Sequence, residues 1–170
     1  MASLIEDLTE TLLEELDCYK ELLKISTKKT DVIINGDVPS LQKLTNEEQT
    51  LAGRVFRLDK KREELINDIG IVINKKPEEL TLLNLIDMLD SQLKEKEKLY
   101  KINEELRSNL SQLKEKNEQN KVLIQQSLDF IDFTVNAIRS SRNVPETAGY
   151  ENKGTSSQAN NHTSMFDAKQ

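Results

Sequence analysis

The sequence predicts an all-α protein: an elongated antiparallel helical bundle or coiled coil with a long C-terminal helix and a disordered tail. Its 170 residues include only five glycines and three prolines, so few turns are available. Charged residues make up 32% of the chain and hydrophobic residues 36%, a balance typical of long helices with narrow apolar seams. A stretch of about fifty residues ending near Arg142 contains no glycine or proline, enough for a helix of roughly 75 Å.

The first helix is predicted to run from Ser3 to Ile33 or Ile34. Ser3 and Glu6 have the spacing of a capping box, in which each side chain satisfies the other residue's backbone N–H. Apolar side chains then recur every three or four residues, which is the period of one helix face. Asn35-Gly36-Asp37 ends the helix, because glycine readily takes the left-handed conformation common at helix ends.

A second helix is predicted after Asp37, which acts as its cap, with Pro39 tolerated in the first turn. Thr45 and Glu48 have the spacing of another capping box, so we expect a kink or a restart near residue 45. The apolar stripe of this helix has one gap, at Arg62. We expect the helix to end somewhere within residues 69–75.

Pro77 favours the first turn of a short, very apolar helix that ends near Leu89. The long last helix follows, with Ser91 as a weak cap, and its apolar seam is interrupted by Asn117 and Asn120. Polar residues in such a seam cost stability but can fix the register of packed helices or the choice of partner.

The composition changes after Arg142. Residues 143–170 are rich in Thr, Ser, Asn and Gln and contain few apolar side chains. Such a segment cannot bury enough apolar surface to offset the entropy lost on ordering. We therefore predict a helical domain over residues 1–142 and a disordered tail over residues 143–170.

The charge pattern argues against nucleic acid and membrane partners. The net charge is −6, and the first 27 residues hold seven acidic side chains against two lysines. Binding to nucleic acid or to an anionic membrane surface would need a basic face. No apolar run approaches the roughly 20 residues that span a bilayer, so membrane insertion is not expected.

The sequence offers little for catalysis or metal binding. The single histidine, His162, lies in the tail without a second ligand nearby, and the single cysteine, Cys18, is expected to pack as a small hydrophobe. Adjacent acids such as Glu14 and Glu15 point about 100° apart on a helix, so we expect solvated carboxylates rather than a proton-sharing pair. We predict no enzyme activity, no metal and no cofactor, and the lone cysteine fits a cytoplasmic chain.

The segment from Val122 to Ile138 is the most informative part of the chain. On a helical wheel its apolar residues form two groups that together cover more than half the circumference, whereas packing on one neighbour needs a stripe of about 100°. The excess indicates either a helix enclosed by several others or a surface for another chain. We predict the second and assign these residues to partner binding: Leu123, Leu128, Phe130, Ile131, Phe133, Val135 and Ile138.

Several segments resemble one known family, the FlgN-type flagellar export chaperones. Asn35 to Gln49 is similar to the stretch after their first helix, and Pro77 to Leu82 is similar to their short linker helix. Asn120 to Thr134 resembles the end of their last long helix, and Phe166 to Lys169 resembles the chain end of some members. The similar segments span nearly the whole chain in the right order.

The resemblance implies a cytoplasmic chaperone of type III secretion that acts in flagellum assembly. Its implied cargo is the hook–filament junction proteins FlgK and FlgL, and its implied receptor is the export gate protein FlhA. Tyr150 in the tail is implied as a contact to the export gate. An alternative from the residues alone is a cytoplasmic coiled-coil scaffold that self-associates, with Asn117 and Asn120 setting a dimer.

Overall fold

The computed structural model describes residues 2–75, 80–88 and 93–142, which form four helices and no strands. The helices are α1 (Ala2–Ile34), α2 (Val38–Val72), α3 (Leu82–Met88) and α4 (Leu93–Arg142). The predicted all-α fold with a long C-terminal helix is confirmed, and α2 ends within the expected range. The predictions for Pro77, Ser91 and the tail 143–170 lie outside the described residues.

The turn between α1 and α2 forms as its residues predict. Gly36 has a φ of 66°, a left-handed conformation that costs glycine little. The Asp37 side chain accepts a hydrogen bond from the backbone N–H of Ser40 at 3.1 Å, which caps α2. Pro39 lies in the first turn, where a missing N–H leaves no intrahelical bond unmade.

Two predicted capping boxes are wrong. Ser3 lies inside α1, because that helix already begins at Ala2. Thr45 lies inside a continuous α2, where its hydroxyl donates to the carbonyl oxygen of Leu41 at 2.8 Å. Glu48 pairs with Lys29 of α1 at 2.7 Å instead of capping a helix, and α2 does not restart at this point.

Polar contacts show how the three long helices are arranged. Glu14 of α1 pairs with Arg54 of α2, Glu15 pairs with Arg62, and Lys29 pairs with Glu48. Positions nearer the end of α1 therefore meet positions nearer the start of α2. The two helices are therefore antiparallel. Lys20 of α1 contacts Glu105 of α4, Ser26 contacts Asn117, and Thr30 contacts Asn120. Residue numbers rise together along both helices, so α1 and α4 are parallel. The bundle has an up–down–up order.

The hydrophobic core joins residues from all four helices. Its largest fully buried apolar side chains are Ile5, Leu8 and Leu12 of α1, Ile69 of α2, Ile86 of α3 and Leu99 of α4. Cys18 is buried as predicted. The apolar seam of α4 is predicted from sequence to include Leu106, Leu110 and Leu113; Leu106 and Leu113 are buried, and the prediction is wrong at Leu110, which is exposed.

The expectation of a solvated Glu15 is also wrong. Its side chain is buried, and its carboxylate accepts a hydrogen bond from the Arg62 guanidinium at 3.2 Å. Arg62 also pairs with Asp59 one turn earlier on α2. The apolar stripe of α2 is therefore interrupted at Arg62 because this side chain forms an ion pair with Glu15 of α1.

The chain divides into two compact units, Met1–Asp132 and Phe133–Gln170. The first contains α1, α2, α3 and α4 as far as Asp132. Of the second, the structure describes residues 133–142, which are the last turns of α4. No helix among the described residues is long and apolar enough to cross a membrane.

Candidate functional site

A layer of polar side chains joins α1 to α4 near the end of α1. Asn120 is buried, and its amide nitrogen donates to the carbonyl oxygen of Ser26 at 2.7 Å. Its amide oxygen accepts from the Thr30 hydroxyl at 2.6 Å, and Ser26 donates to Asn117 at 2.7 Å. The polar seam residues predicted from sequence therefore set the register between two helices of the same chain.

The apolar face of α4 becomes exposed just beyond this layer. Thr30 lies opposite Asn120, and α1 ends four residues later, a rise of about 6 Å. Within the first unit, Leu123 is half-buried, while Leu128, Phe130 and Ile131 are 51%, 70% and 54% exposed. Leu128, Phe130 and Ile131 lie where α1 no longer continues alongside α4.

The described part of the second unit is also apolar at its surface. Phe133 is 71% exposed, and Val135 and Ile138 are exposed as well. Of the seven residues predicted to bind a partner, six are thus exposed and Leu123 is half-buried. Their assignment to partner binding stays a prediction, and Tyr150 lies outside the described residues.

The first unit also contains an apolar groove that sequence reasoning missed. It has a volume of about 230 Å³ and lies between the α1–α2 turn and α4. Val32, Val38 and Leu41 form one wall, and Ile124, Leu128 and Ile131 form the other. We name this feature the turn groove. The available signal was Val38, an apolar residue directly after a glycine turn, which is 69% exposed.

The electrostatics of the turn groove centre on Asp37, one of its lining residues. Hydrogen bonds from the side chain and the backbone of Ser40 lower the pKa of Asp37 below its ordinary value. The carboxylate is therefore held in its charged form at the mouth of an apolar groove. A carboxylate that is already held in place by capping a helix can orient a bound partner.

The other shifted groups of the first unit are structural. Burial raises the pKa of Glu15, and the charge and hydrogen bond of Arg62 oppose that rise. Burial also raises the pKa of the Cys18 thiol, which disfavours the reactive thiolate. Among residues 2–75, 80–88 and 93–142, no three His, Cys, Asp or Glu side chains group as metal ligands do.

The fold and the exposed apolar face of α4 together define a class of protein. The described residues form an all-α bundle with a row of large exposed apolar side chains on its last helix, a surface typical of proteins that bind other proteins. A family model described as "FlgN protein" matches residues 1–158. The chain therefore belongs to the FlgN family, the family of flagellar export chaperones. No curated protein and no solved structure matches the chain significantly.

Proposed function

We propose that this chain is a cytoplasmic chaperone of type III export for the hook–filament junction proteins FlgK and FlgL. In this role it binds the junction proteins before export, prevents their premature association and delivers them to the export gate protein FlhA. Membership of the FlgN family supports the general role of flagellar export chaperone.

The exposed apolar end of α4 is the observation that carries this proposal. Leu128, Phe130 and Ile131 of the first unit are all more than half exposed, and so is Phe133 of the second. Full burial of such a side chain is worth about 1.5–3 kcal/mol, so leaving these groups 51–71% exposed forgoes about 1–2 kcal/mol for each. An amphipathic cargo helix laid along this face would recover that free energy.

The size of the surface fits a complex that forms and then releases. The six exposed side chains are on average little more than half exposed, so burying them supplies a gross gain of about 5–10 kcal/mol, and association costs on the order of 4–15 kcal/mol. A micromolar complex needs a net gain of about 8 kcal/mol, so further contacts must contribute. A chaperone that hands its cargo on gains nothing from very tight binding.

The test compares two exposed phenylalanines. Phe130→Ala removes an aromatic side chain from the proposed binding face, whereas Phe56→Ala removes one that is 63% exposed on α2. We expect Phe130→Ala to weaken the binding of purified FlgK and FlgL at least tenfold, the effect of a modest hot spot. Phe56→Ala should bind as the unaltered chain does, and the thermal melt of both variants should stay unchanged.

Two results would contradict the proposal. Equal binding by both variants would place the cargo elsewhere, and a strongly lowered melt of Phe130→Ala would assign that ring to the bundle. Phe133→Ala, tested in parallel, reports on the second unit by the same criteria.

The alternative of a self-associating scaffold has less support. Under this alternative Asn117 and Asn120 would set a dimer, but their amides are hydrogen-bonded to Ser26 and Thr30 within the chain. Light scattering over a range of concentrations separates the two functions. A monomer that forms a complex with FlgK or FlgL excludes the scaffold, and a constitutive dimer without affinity for either protein excludes the chaperone.

A further inference from the structure

The outer side of α2, which is turned away from α1, carries three exposed apolar side chains in a row. Val38 is 69% exposed, Phe56 is 63% exposed and Ile71 is 75% exposed. Phe56 follows Val38 by about five full turns of helix, and Ile71 lies about 60° from the line that joins them. We name these three residues the α2 stripe. Because the stripe runs along almost the whole of α2, it matches another long helix better than a small ligand.

The first half of α2 has no charge on its outer side. Its charged side chains turn toward α1: Glu48 pairs with Lys29, and Lys43 and Glu47 line a pocket together with residues of α1. The exposed outer positions of this half are uncharged, and they are Gln42, Asn46, Gln49, Ala52 and Gly53. A charged helix can therefore lie against this half without meeting a like charge.

The second half of α2 carries charges of both signs on its outer side. Arg57, Lys60, Glu63 and Glu64 are all exposed there, and the Lys60 ammonium lies 5.5 Å from the centroid of the Phe56 ring. In a parallel pair of α2 helices each of these charges would face its own copy, which is unfavourable. In an antiparallel pair the charged half lies on the uncharged half of the second copy. The charge pattern of α2 therefore favours one orientation of self-association.

We propose that two copies of this chain associate through the α2 stripe, with their α2 helices antiparallel. Phe56 of each copy packs on Gly53 of the other, where a Cβ added to the glycine would meet nothing within 4 Å. At both ends of the contact Val38 packs on Ile71 of the other copy. The two kinds of pair are symmetric about the same point, between residues 54 and 55, so a single register forms both.

The same register also matches the polar residues that lie between the apolar ones. Gln49 lies opposite Lys60 of the second copy, and Asn46 lies opposite Glu63. Amides can donate to a carboxylate and accept from an ammonium, so both pairs can form hydrogen bonds. The contact shares no residue with the exposed end of α4, so a second copy and a cargo protein can be bound at the same time.

The first test measures the oligomeric state of the full chain. The apolar part of the contact is limited to three side chains from each copy, so we expect a weak dimer with a dissociation constant on the order of 100 µM. Sedimentation velocity between about 10 µM and about 1 mM should therefore show monomers giving way to dimers. At the lower concentrations of a thermal melt the chain is monomeric, so substitutions in the α2 stripe leave the melt unchanged.

Four variants locate the contact. Phe56→Ala removes the central side chain and should raise the dissociation constant of the dimer at least tenfold. Gly53→Gln fills the space that receives Phe56 of the second copy and should weaken the dimer to a similar degree. Ile71→Ser should weaken it several-fold. Val72→Ser is the matched control, because Val72 is the next residue and is 52% exposed but points about 100° away, so this variant should dimerise as the unaltered chain does.

Disulfide cross-linking tests the orientation and the register. In the proposed dimer the two copies of position 49 lie about 16 Å apart along the helix axis, too far for a disulfide, and so do the two copies of position 60. Position 49 of one copy lies opposite position 60 of the other. Chains with Gln49→Cys alone or Lys60→Cys alone should therefore stay uncross-linked under oxidation, and a mixture of the two should form covalent dimers. The native Cys18 is buried and does not compete.

Three results would overturn the inference. These are a chain that stays monomeric at about 1 mM, a dimer that Phe56→Ala and Gly53→Gln leave intact, and cross-linking of Gln49→Cys chains alone, which would show parallel helices. None of them bears on the chaperone function, because the binding of FlgK and FlgL is measured separately, at concentrations where the chain is monomeric. A chain that dimerises as proposed but binds neither protein would retain the inference and lose the proposed cargo.

Discussion

The side-chain amide of Asn120 on α4 donates a hydrogen bond to the carbonyl oxygen of Ser26 on α1 at 2.7 Å. The carbonyl would otherwise accept only within its own helix, and Asn120 also accepts from Thr30. This buried contact aligns two parallel helices at one position along their length. It also marks where the enclosed part of the α4 apolar face gives way to the exposed part.

Loss of this contact should destabilise the bundle. Asn120→Ala leaves buried polar groups of α1 without their partner, and we expect the free energy of unfolding to fall by about 1–3 kcal/mol. Asn117 is exposed and accepts a hydrogen bond from the Ser26 hydroxyl, so Asn117→Ala should cost less. Urea unfolding measures both, and an equal loss in the two variants would contradict the account.

The ion pair between Glu15 and Arg62 should show the cost of an unpaired buried charge. Arg62→Met removes the hydrogen bond to a buried carboxylate, and we expect a loss of about 1.5–3 kcal/mol in the free energy of unfolding. Adding Glu15→Leu to Arg62→Met should recover much of that loss, because no buried charge remains. A double variant less stable than Arg62→Met alone would contradict this reasoning.

Glu15 should also make stability depend on pH. Burial raises the pKa of Glu15 above 4.5, so the folded chain holds this proton more tightly than the unfolded chain does. The contribution of Glu15 to the free energy of unfolding therefore falls as the pH rises from 4.5 through the raised value. Glu15→Gln should remove this contribution. Unfolding curves of both proteins over that range test it, and parallel pH profiles would disprove it.

Two leucines of α4 should respond differently to the same substitution. Leu106 is buried in the core, so Leu106→Ala should cost about 2–5 kcal/mol through lost burial and a residual cavity. Leu128 is 51% exposed, so Leu128→Ala should change the thermal melt far less. Its effect should instead appear as weaker binding of FlgK or FlgL. A large loss of stability in Leu128→Ala would show that Leu128 contributes to the core instead.

Two glycines should respond in opposite directions to alanine. Gly36 has a φ of 66°, where a Cβ costs about 1–2 kcal/mol, so Gly36→Ala should lower the melting temperature. Gly53 lies within α2 with open space around an added Cβ, so Gly53→Ala should raise stability by about 0.5–1 kcal/mol. Differential scanning calorimetry measures both, and shifts of the same sign would contradict the assignment of the turn.

The sequence by itself determined the helices, because their causes are local. Apolar periodicity marked the faces of α1 and α2, Asn35-Gly36-Asp37 marked the turn, and the absence of glycine and proline predicted the length of α4. The broad apolar sector from Leu123 to Ile138 was equally visible, since a helical wheel depends only on spacing.

The tertiary structure alone decided what each polar or apolar residue faces. Glu15 is buried because Arg62 of another helix reaches it, and Thr45 lies in a continuous helix while Glu48 pairs with Lys29 of α1. The turn groove exists because a turn and a helix far apart in the chain meet at one end of the bundle. Such pairings depend on how helices pack in space, and no local pattern in the sequence specifies them.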